Sequence, residues 1–149
     1  MSNSLDIISI MIELDNQTSL TINITLLETI ANTLSEKDIE LIITSDKEIR
    51  QINKTHRNID KSTDVLSFPY EDMPMAPLGS IVISSLHVTA KAKELNHSSN
   101  DELTLLFIHG LLHLLGYDHE VDSGEMRSKE EELIMKFNLP ISLITRTQG

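Results

Sequence analysis

The longest apolar segment of the chain, Leu103 to Leu115, carries two histidines four residues apart. Residues at i and i+4 share one face of an α-helix, so His109 and His113 can direct both imidazoles at one metal ion. Gly116 is the residue type that most often ends a helix in the left-handed conformation. A turn there can bring His119 in as a third nitrogen ligand. Three protein ligands with an open fourth position are typical of a catalytic zinc site rather than a structural one.

The spacing H-x-x-x-H-x-x-G-x-x-H is shared with the three-histidine signature of metzincin proteases. Those enzymes have a glutamate directly after the first histidine, and it acts as the general base. This chain has Gly110 at that position, which keeps the metal-binding spacing and argues against peptide hydrolysis. A single histidine in an apolar helix is usually a packed core residue. Three at this spacing favour a metal site, because burying several imidazoles without partners is costly.

Length and composition bound the rest of the interpretation. The chain has 149 residues and no cysteine, which predicts one domain over 1–149 and leaves histidine and carboxylate as metal ligands. The N-terminus lacks the basic region of a secretory signal. The longest apolar segment falls short of the ~20 residues that a membrane span requires. We therefore expect a cytoplasmic protein without a membrane-embedded segment.

The periodicity of apolar residues predicts the secondary structure. Strands are expected at 5–14, 38–44, 65–68 and 78–84, and helices at 23–35, 45–57, 86–96, 101–115 and 123–137. Ser45, Asn100 and Asp122 are the expected caps of three of these helices. The pattern predicts an α+β fold in which one small mixed sheet of about four strands packs with about five helices. The metal site is expected at the end of a central helix.

A short basic segment precedes the strand at 65–68. Arg50, Lys54, Arg57 and Lys61 lie within twelve residues, with His56 among them, whereas the whole chain has a net charge of −11. Arg57 falls where a helix runs into a loop, and a guanidinium there can bind a phosphate in a bidentate way. The alternative is a solvated arginine that interacts with the helix dipole. Charge alone favours that alternative.

Three sequence blocks together resemble the YbeY family of bacterial rRNA maturation factors, which are metal-dependent, single-strand-specific endoribonucleases. The family's H-G-x-L-H-L-x-G-Y-D-H block is matched from His109 to His119, its N-x-x-x-R block by Asn53 and Arg57, and its T-D-V-L-S-F-P block from Thr63 to Pro69. Its usual L-G-D-I reads Leu78-Gly79-Ser80-Ile81 here. This departure removes a carboxylate that could act as a base or support the metal.

The resemblance implies hydrolysis of RNA phosphodiester bonds in 16S rRNA 3′ end maturation and ribosome quality control. It implies that His109, His113 and His119 bind zinc and that Arg57 stabilises charge on phosphate. Lys54, His56 and Lys61 are candidate substrate-binding residues. The expected partners are single-stranded rRNA and the small ribosomal subunit or an associated protein. Imidazole ligands also suit other divalent transition metals.

Two alternatives stay open at this point. One is another zinc hydrolase that lacks the peptidase glutamate, and the other is a ribosome-associated assembly factor with a structural metal. A fourth protein ligand such as Asp118 would favour the structural metal. A metal-bound histidine usually donates its second N–H to an acceptor, and Asp118 is a candidate that is close in sequence. His87 and His97 are interpreted as ordinary surface residues.

Overall fold

The computed structural model describes residues 10–118 and 124–140. This part of the chain contains four strands and five helices. They are β1 (Ile12–Asn16), α1 (Ile24–Asn32), β2 (Ile39–Thr44), α2 (Asp46–Arg57), β3 (Val65–Pro69), β4 (Gly79–Ser84), α3 (Ser85–Leu95), α4 (Ser99–Leu114) and α5 (Glu125–Lys136). The predicted α+β class, with one mixed sheet of four strands and five helices, is confirmed.

The sheet has the strand order β1-β2-β4-β3. Strand β2 is parallel to both β1 and β4, whereas β3 pairs antiparallel with β4 and forms an outer edge. Because successive side chains of a strand point to opposite faces, each central strand contributes to two apolar layers. Ile81 and Ile83 of β4 join the larger core with α1, α3 and α4, and Val82 packs with Leu66 and Ile49 on the side of α2.

Helix α4 is the central helix of the fold. Nearly all of its residues from Glu102 to Leu114 are buried, because the sheet, α1 and α3 cover one side and α5 covers another. Ile108 and Leu112 of α4 pack with Met126 and Leu133 of α5. None of the helices in the described ranges combines the length and apolarity needed to cross a bilayer.

Most predicted boundaries agree with the structure to within two residues; the exceptions are the start of the first strand and the end of α1, which is Asn32 rather than residue 35. Ser45 caps α2 as predicted, with its hydroxyl accepting from the Glu48 N–H at 3.1 Å. The predicted Asn100 cap is wrong, since α4 begins two residues earlier and the Ser98 hydroxyl accepts from the Asp101 N–H at 3.0 Å.

The two ends of the chain also differ from the prediction. The first strand runs from Ile12 to Asn16 rather than over 5–14, and residues 5–9 lie outside the described ranges. Helix α5 begins at Glu125 after Gly124, whose φ of 109° is incompatible with a helical start at 123. Asp122, the expected cap, lies outside the described residues.

Candidate active site

Helix α4 ends in a left-handed turn at Gly116, as the sequence predicted. Gly116 has a φ of 101°, a conformation that L side chains rarely adopt. Its N–H donates to the His113 carbonyl at 3.0 Å, and the Tyr117 N–H donates to the Leu112 carbonyl at 3.0 Å. Tyr117 also packs against the cluster that contains Leu112. These two bonds and the apolar contact form a Schellman motif, which turns the chain sharply after the helix.

The two described histidines of the motif lie side by side on α4. The ring centroids of His109 and His113 are 4.9 Å apart and nearly perpendicular, with an interplanar angle of 76°. Both rings line one open cleft of about 630 Å³ at the end of the helix. Spacing of one helical turn therefore presents two imidazoles to a common space, which is the arrangement that a shared metal ion requires.

A buried carboxylate holds the first of these imidazoles. Nδ1 of His109 lies 3.0 Å from Oε2 of Glu130, which projects from α5 and is only 6% exposed. An ionised carboxylate can only accept a hydrogen bond, so it favours the tautomer that carries its proton on Nδ1. Nε2 then keeps its lone pair on the side of the ring away from α5. Metal-binding histidines usually have such an acceptor behind them.

Sequence reasoning expected an acceptor of this kind but offered Asp118, which is close in sequence and lines the cleft. A signal for Glu130 was present in the chain. Its position is on the stripe formed by Met126, Leu133 and Ile134, which are buried. A carboxylate in the apolar stripe of an amphipathic helix must find a buried partner, because an unpaired buried charge is costly.

Arg57 reaches the same cleft from another part of the fold. It is the last residue of α2, and the chain leaves the helix through Asn58, whose φ of 59° is left-handed. Arg57 lines the cleft together with His109, His113 and most of the residues from Thr63 to Pro69, all but Phe68. Residues 46–57 and 99–114 thus bring a guanidinium and two imidazoles into one space. Such a combination can bind a phosphate beside a cation.

Two further carboxylates line the cleft. Oδ1 of Asp64 accepts from the Val65 N–H at 2.8 Å, and the Asp64 main-chain carbonyl accepts from the Ser84 N–H at 2.9 Å. Both bonds hold Asp64 at the start of β3. Asp118 lies just beyond the turn at Gly116. The cleft therefore contains groups that can hold a proton as well as groups that can hold an anion.

The structure explains why position 110 carries no side chain. A Cβ at Gly110 would lie 3.0 Å from Cγ2 of Ile81, 3.1 Å from Oγ of Ser67 and 3.3 Å from Cγ2 of Val65. This position faces the sheet at close range, and the Ser67 hydroxyl donates to the Gly110 carbonyl at 3.0 Å. A glutamate there would have to enter the interface between α4 and the sheet. A side chain at position 110 would therefore require these neighbouring side chains to move by a few tenths of an ångström.

The departure at Ser80 concerns the opposite face of the sheet. Ile81 points toward Gly110, so the neighbouring residue on β4 points toward the α2 side. Ser80 is buried there opposite Phe68 of β3 and Glu40 of β2. The Ser80 side chain therefore points to the face opposite α4, and Ser80 does not line the cleft. The substitution leaves the composition of the cleft unchanged.

The remaining predicted substrate-binding residues lie around the end of α2 and do not line the cleft. Lys54 and Lys61 are exposed, and the Lys61 carbonyl accepts from Nδ2 of the buried Asn53 at 2.9 Å. The ring of His56 packs against Phe68 with a centroid distance of 5.4 Å. These three residues form an exposed rim beside Arg57, which we call the α2 rim.

Arg50, the first basic residue of the 50–61 segment, is already paired with a carboxylate. Arg50 donates from Nε to Oδ1 of Asp60 at 2.8 Å. This hydrogen bond lowers the pKa of the Asp60 carboxyl and raises the pKa of the Arg50 guanidinium. Arg50 is thus engaged in holding the loop after α2. Within the 50–61 segment, the remaining basic side chains are those of the α2 rim and Arg57.

The other two histidines are less ordinary than the sequence suggested. Nδ1 of His87 lies 3.0 Å from Oδ1 of Asp46, where α2 and α3 begin. The side chain of His97 is only 4% exposed, and its Nε2 lies 2.9 Å from Oε1 of the buried Glu102. The interpretation of His97 as a surface residue is therefore wrong. Both contacts join helix ends, and neither histidine lines the cleft.

The third predicted ligand, His119, lies outside the described residues, so a three-histidine site stays a prediction. Among residues 10–118 and 124–140, no group of three or more potential ligand side chains meets at one point. The fit to a metal rests on two adjacent imidazoles, one of them oriented by a carboxylate, at the wall of an open cleft.

Comparisons with known proteins agree with this architecture. A sequence model of the family described as Endoribonuclease YbeY matches residues 5–138. Proteins named endoribonuclease YbeY from Sulfurimonas denitrificans and Helicobacter pylori strain 26695 are 65% and 58% identical to the chain. Each alignment covers 93% of this chain, and 100% and 99% of those relatives respectively.

A solved structure has a similar fold. The solution structure of TM1509 from Thermotoga maritima superposes with a TM-score of 0.59 at 30% sequence identity, covering 85% of this chain and 88% of that one. The family match spans every described element and all residues that line the cleft. The chain therefore belongs to the YbeY endoribonuclease family.

Proposed function

We propose that this protein is a metal-dependent, single-strand-specific endoribonuclease that acts in 16S rRNA 3′ end maturation and ribosome quality control. Its membership of an endoribonuclease family supports cleavage of RNA. The observation that carries the site assignment is the shared cleft, in which Arg57 lies with His109 and His113. The proposed metal ligands are these two histidines and His119, and the proposed metal is zinc.

The chain's own residues divide the chemistry between them. A bound zinc ion would supply a water of lowered pKa and polarise a phosphate oxygen. Arg57 would bind the non-bridging oxygens and stabilise the charge that grows on them in the transition state. Glu130 would keep Nε2 of His109 available as a ligand. Asp64 and Asp118 can hold a proton at the wall of the cleft.

The cellular setting follows from the same proposal. We propose single-stranded rRNA as the substrate and the small ribosomal subunit, or a protein bound to it, as the partner in the cytoplasm. The acidic chain supports a role for such a partner, because a net charge of −11 opposes binding to free RNA.

Metal content and RNA cleavage should be measured together on matched variants. H113A is expected to lose metal and cleavage. R57A is expected to keep its metal and lose cleavage by about 10²–10³-fold, the usual effect of removing one donor to a transition-state oxyanion. R57K tests whether charge alone is sufficient. H87A is the matched histidine control, because His87 lies outside the cleft.

The results also separate the alternatives. Full cleavage by R57A would remove Arg57 from the site. A wild-type protein that binds zinc, cuts no RNA and unfolds when His113 is replaced would instead be an assembly factor with a structural metal. Cleavage of peptides but not RNA would identify another hydrolase.

A further inference from the structure

Strand β3 forms the edge of the sheet that lines the cleft, and its register with β4 fixes which main-chain groups point outward. The Ser84 N–H donates to the Asp64 carbonyl, and the Tyr70 N–H donates to the Leu78 carbonyl, at the two ends of the β3–β4 pair. In an antiparallel pair, hydrogen-bonded positions alternate with positions whose main-chain groups point away. The register therefore directs the main-chain N–H and C=O groups of residues 66 and 68 toward β4. The main-chain groups of residues 65, 67 and 69 point away from β4.

These outward positions belong to the wall of the cleft. Val65, Ser67 and Pro69 all line it together with His109 and Arg57. The N–H of Val65 is already bonded to Oδ1 of Asp64 at 2.8 Å, and proline has no N–H. Within β3, all of which is described, this leaves Ser67 as the residue that offers an outward N–H and an outward C=O together.

We propose that the main-chain N–H and C=O of Ser67 bind the Watson–Crick edge of an unpaired RNA base beside the active site. This inference rests on the proposed function. The outward N–H and C=O of one strand residue form a hydrogen-bond donor beside an acceptor. An unpaired base has an acceptor beside a donor on its Watson–Crick edge, which is the complementary pattern. In a duplex these base edges are occupied. The edge of β3 would thereby contribute to a preference for single strands.

An extended peptide is the other ligand that a free strand edge can bind. The length of the available edge argues against it. A peptide strand needs several consecutive outward pairs, whereas β3 has five residues and offers one complete pair. The neighbouring guanidinium of Arg57 favours a ligand that also carries phosphate. One base and its phosphate fit this combination of groups.

The proposal can be tested on the wild-type, zinc-loaded protein by NMR. The probe is a single-stranded oligoribonucleotide with 2′-O-methyl groups, which resists cleavage. The Ser67 amide resonance is expected to shift and its hydrogen exchange to slow severalfold on binding. The amides of Leu66 and Phe68, which point to β4, are internal controls and should change little. A duplex of the same sequence should leave Ser67 unaffected.

Two variants add a functional measurement. S67A removes the hydroxyl that bonds to the Gly110 carbonyl but keeps the main-chain pair. S67P also removes the N–H, at an edge position where proline is tolerated. Relative to S67A, S67P is expected to lose about tenfold in cleavage of single-stranded RNA, the scale of one bidentate base contact. Thermal unfolding of both variants checks the fold, and the wild-type amide data decide if S67P does not fold.

Three results would overturn the proposal. If the wild type cleaves single-stranded RNA while the Ser67 amide stays unchanged, the base site is wrong and the proposed function stands. If the zinc-loaded wild type neither binds nor cleaves RNA, both are wrong. If an extended peptide protects Ser67 and the oligonucleotide does not, the edge is a peptide-binding site.

Discussion

At the scale of single residues, the contact between His109 and Glu130 is expected to strengthen metal binding. The two residues are 21 positions apart and come from different helices, so the bond depends on how α5 packs on α4. E130A is expected to weaken zinc binding by about 10–100-fold, because the imidazole loses the acceptor that sets its tautomer and direction. Competition with a fluorescent chelator measures this affinity.

The matched control for that experiment is E132A on the same helix. Glu132 is exposed and pairs with Lys129 at 2.8 Å, away from the histidines. E130Q keeps an uncharged acceptor and should fall between wild type and E130A. Equal zinc affinity in wild type and E130A would contradict the assignment. Thermal unfolding without metal separates this effect from a general loss of stability.

At the scale of secondary-structure elements, a tyrosine after β3 is tied to strand β2. The Tyr70 hydroxyl donates to Oε1 of Glu40 at 2.6 Å. That hydrogen bond, followed by partial burial and by the charge of Glu40, raises the pKa of Tyr70 above its ordinary value. A group with a raised folded pKa contributes stability below its unfolded pKa of about 10 and loses it as pH rises through the folded value.

The titration of Tyr70 can be isolated because the chain has only two tyrosines. The difference in absorbance at the tyrosinate band between wild type and Y70F is expected to rise above pH ~10. E40A should move this transition to lower pH. The stability advantage of wild type over Y70F should decline in the same alkaline range. A transition at or below the ordinary value would contradict the contact.

At the scale of the whole molecule, the distribution of charge limits how RNA can bind. Lys54, Arg57 and Lys61 form a small basic region on a chain of net charge −11. If three cations contact phosphates, the logarithm of the binding constant should fall with the logarithm of salt concentration at a slope of about −2. K61A should reduce the magnitude of that slope by about 0.7. Filter binding at several salt concentrations measures it.

The control for the salt experiment is K93A, since Lys93 is exposed in the last turn of α3, outside the basic region. Its slope should equal that of wild type. An unchanged slope in K61A would show that Lys61 does not contact the RNA backbone.

Local sequence patterns were sufficient to predict the secondary-structure elements and part of the candidate site. Apolar periodicity predicted all nine elements within the described ranges, because each periodicity reflects contacts between residues a few positions apart. The i, i+4 spacing of His109 and His113 predicted their adjacency on α4, and Gly116 predicted the turn after them. These features depend on helix geometry alone.

Contacts between distant residues were decided by the tertiary structure. The pairing of Glu130 with His109, the approach of Arg57 to the histidines and the close contact of Gly110 with the sheet all join different elements. The spacing of residues along the sequence does not predict these three contacts, since they depend on how α4 packs between the sheet and α5. Sequence determined which groups are present for the proposed binding of a metal and a phosphate. Packing determined which of them meet, because only the folded core fixes the distances between elements.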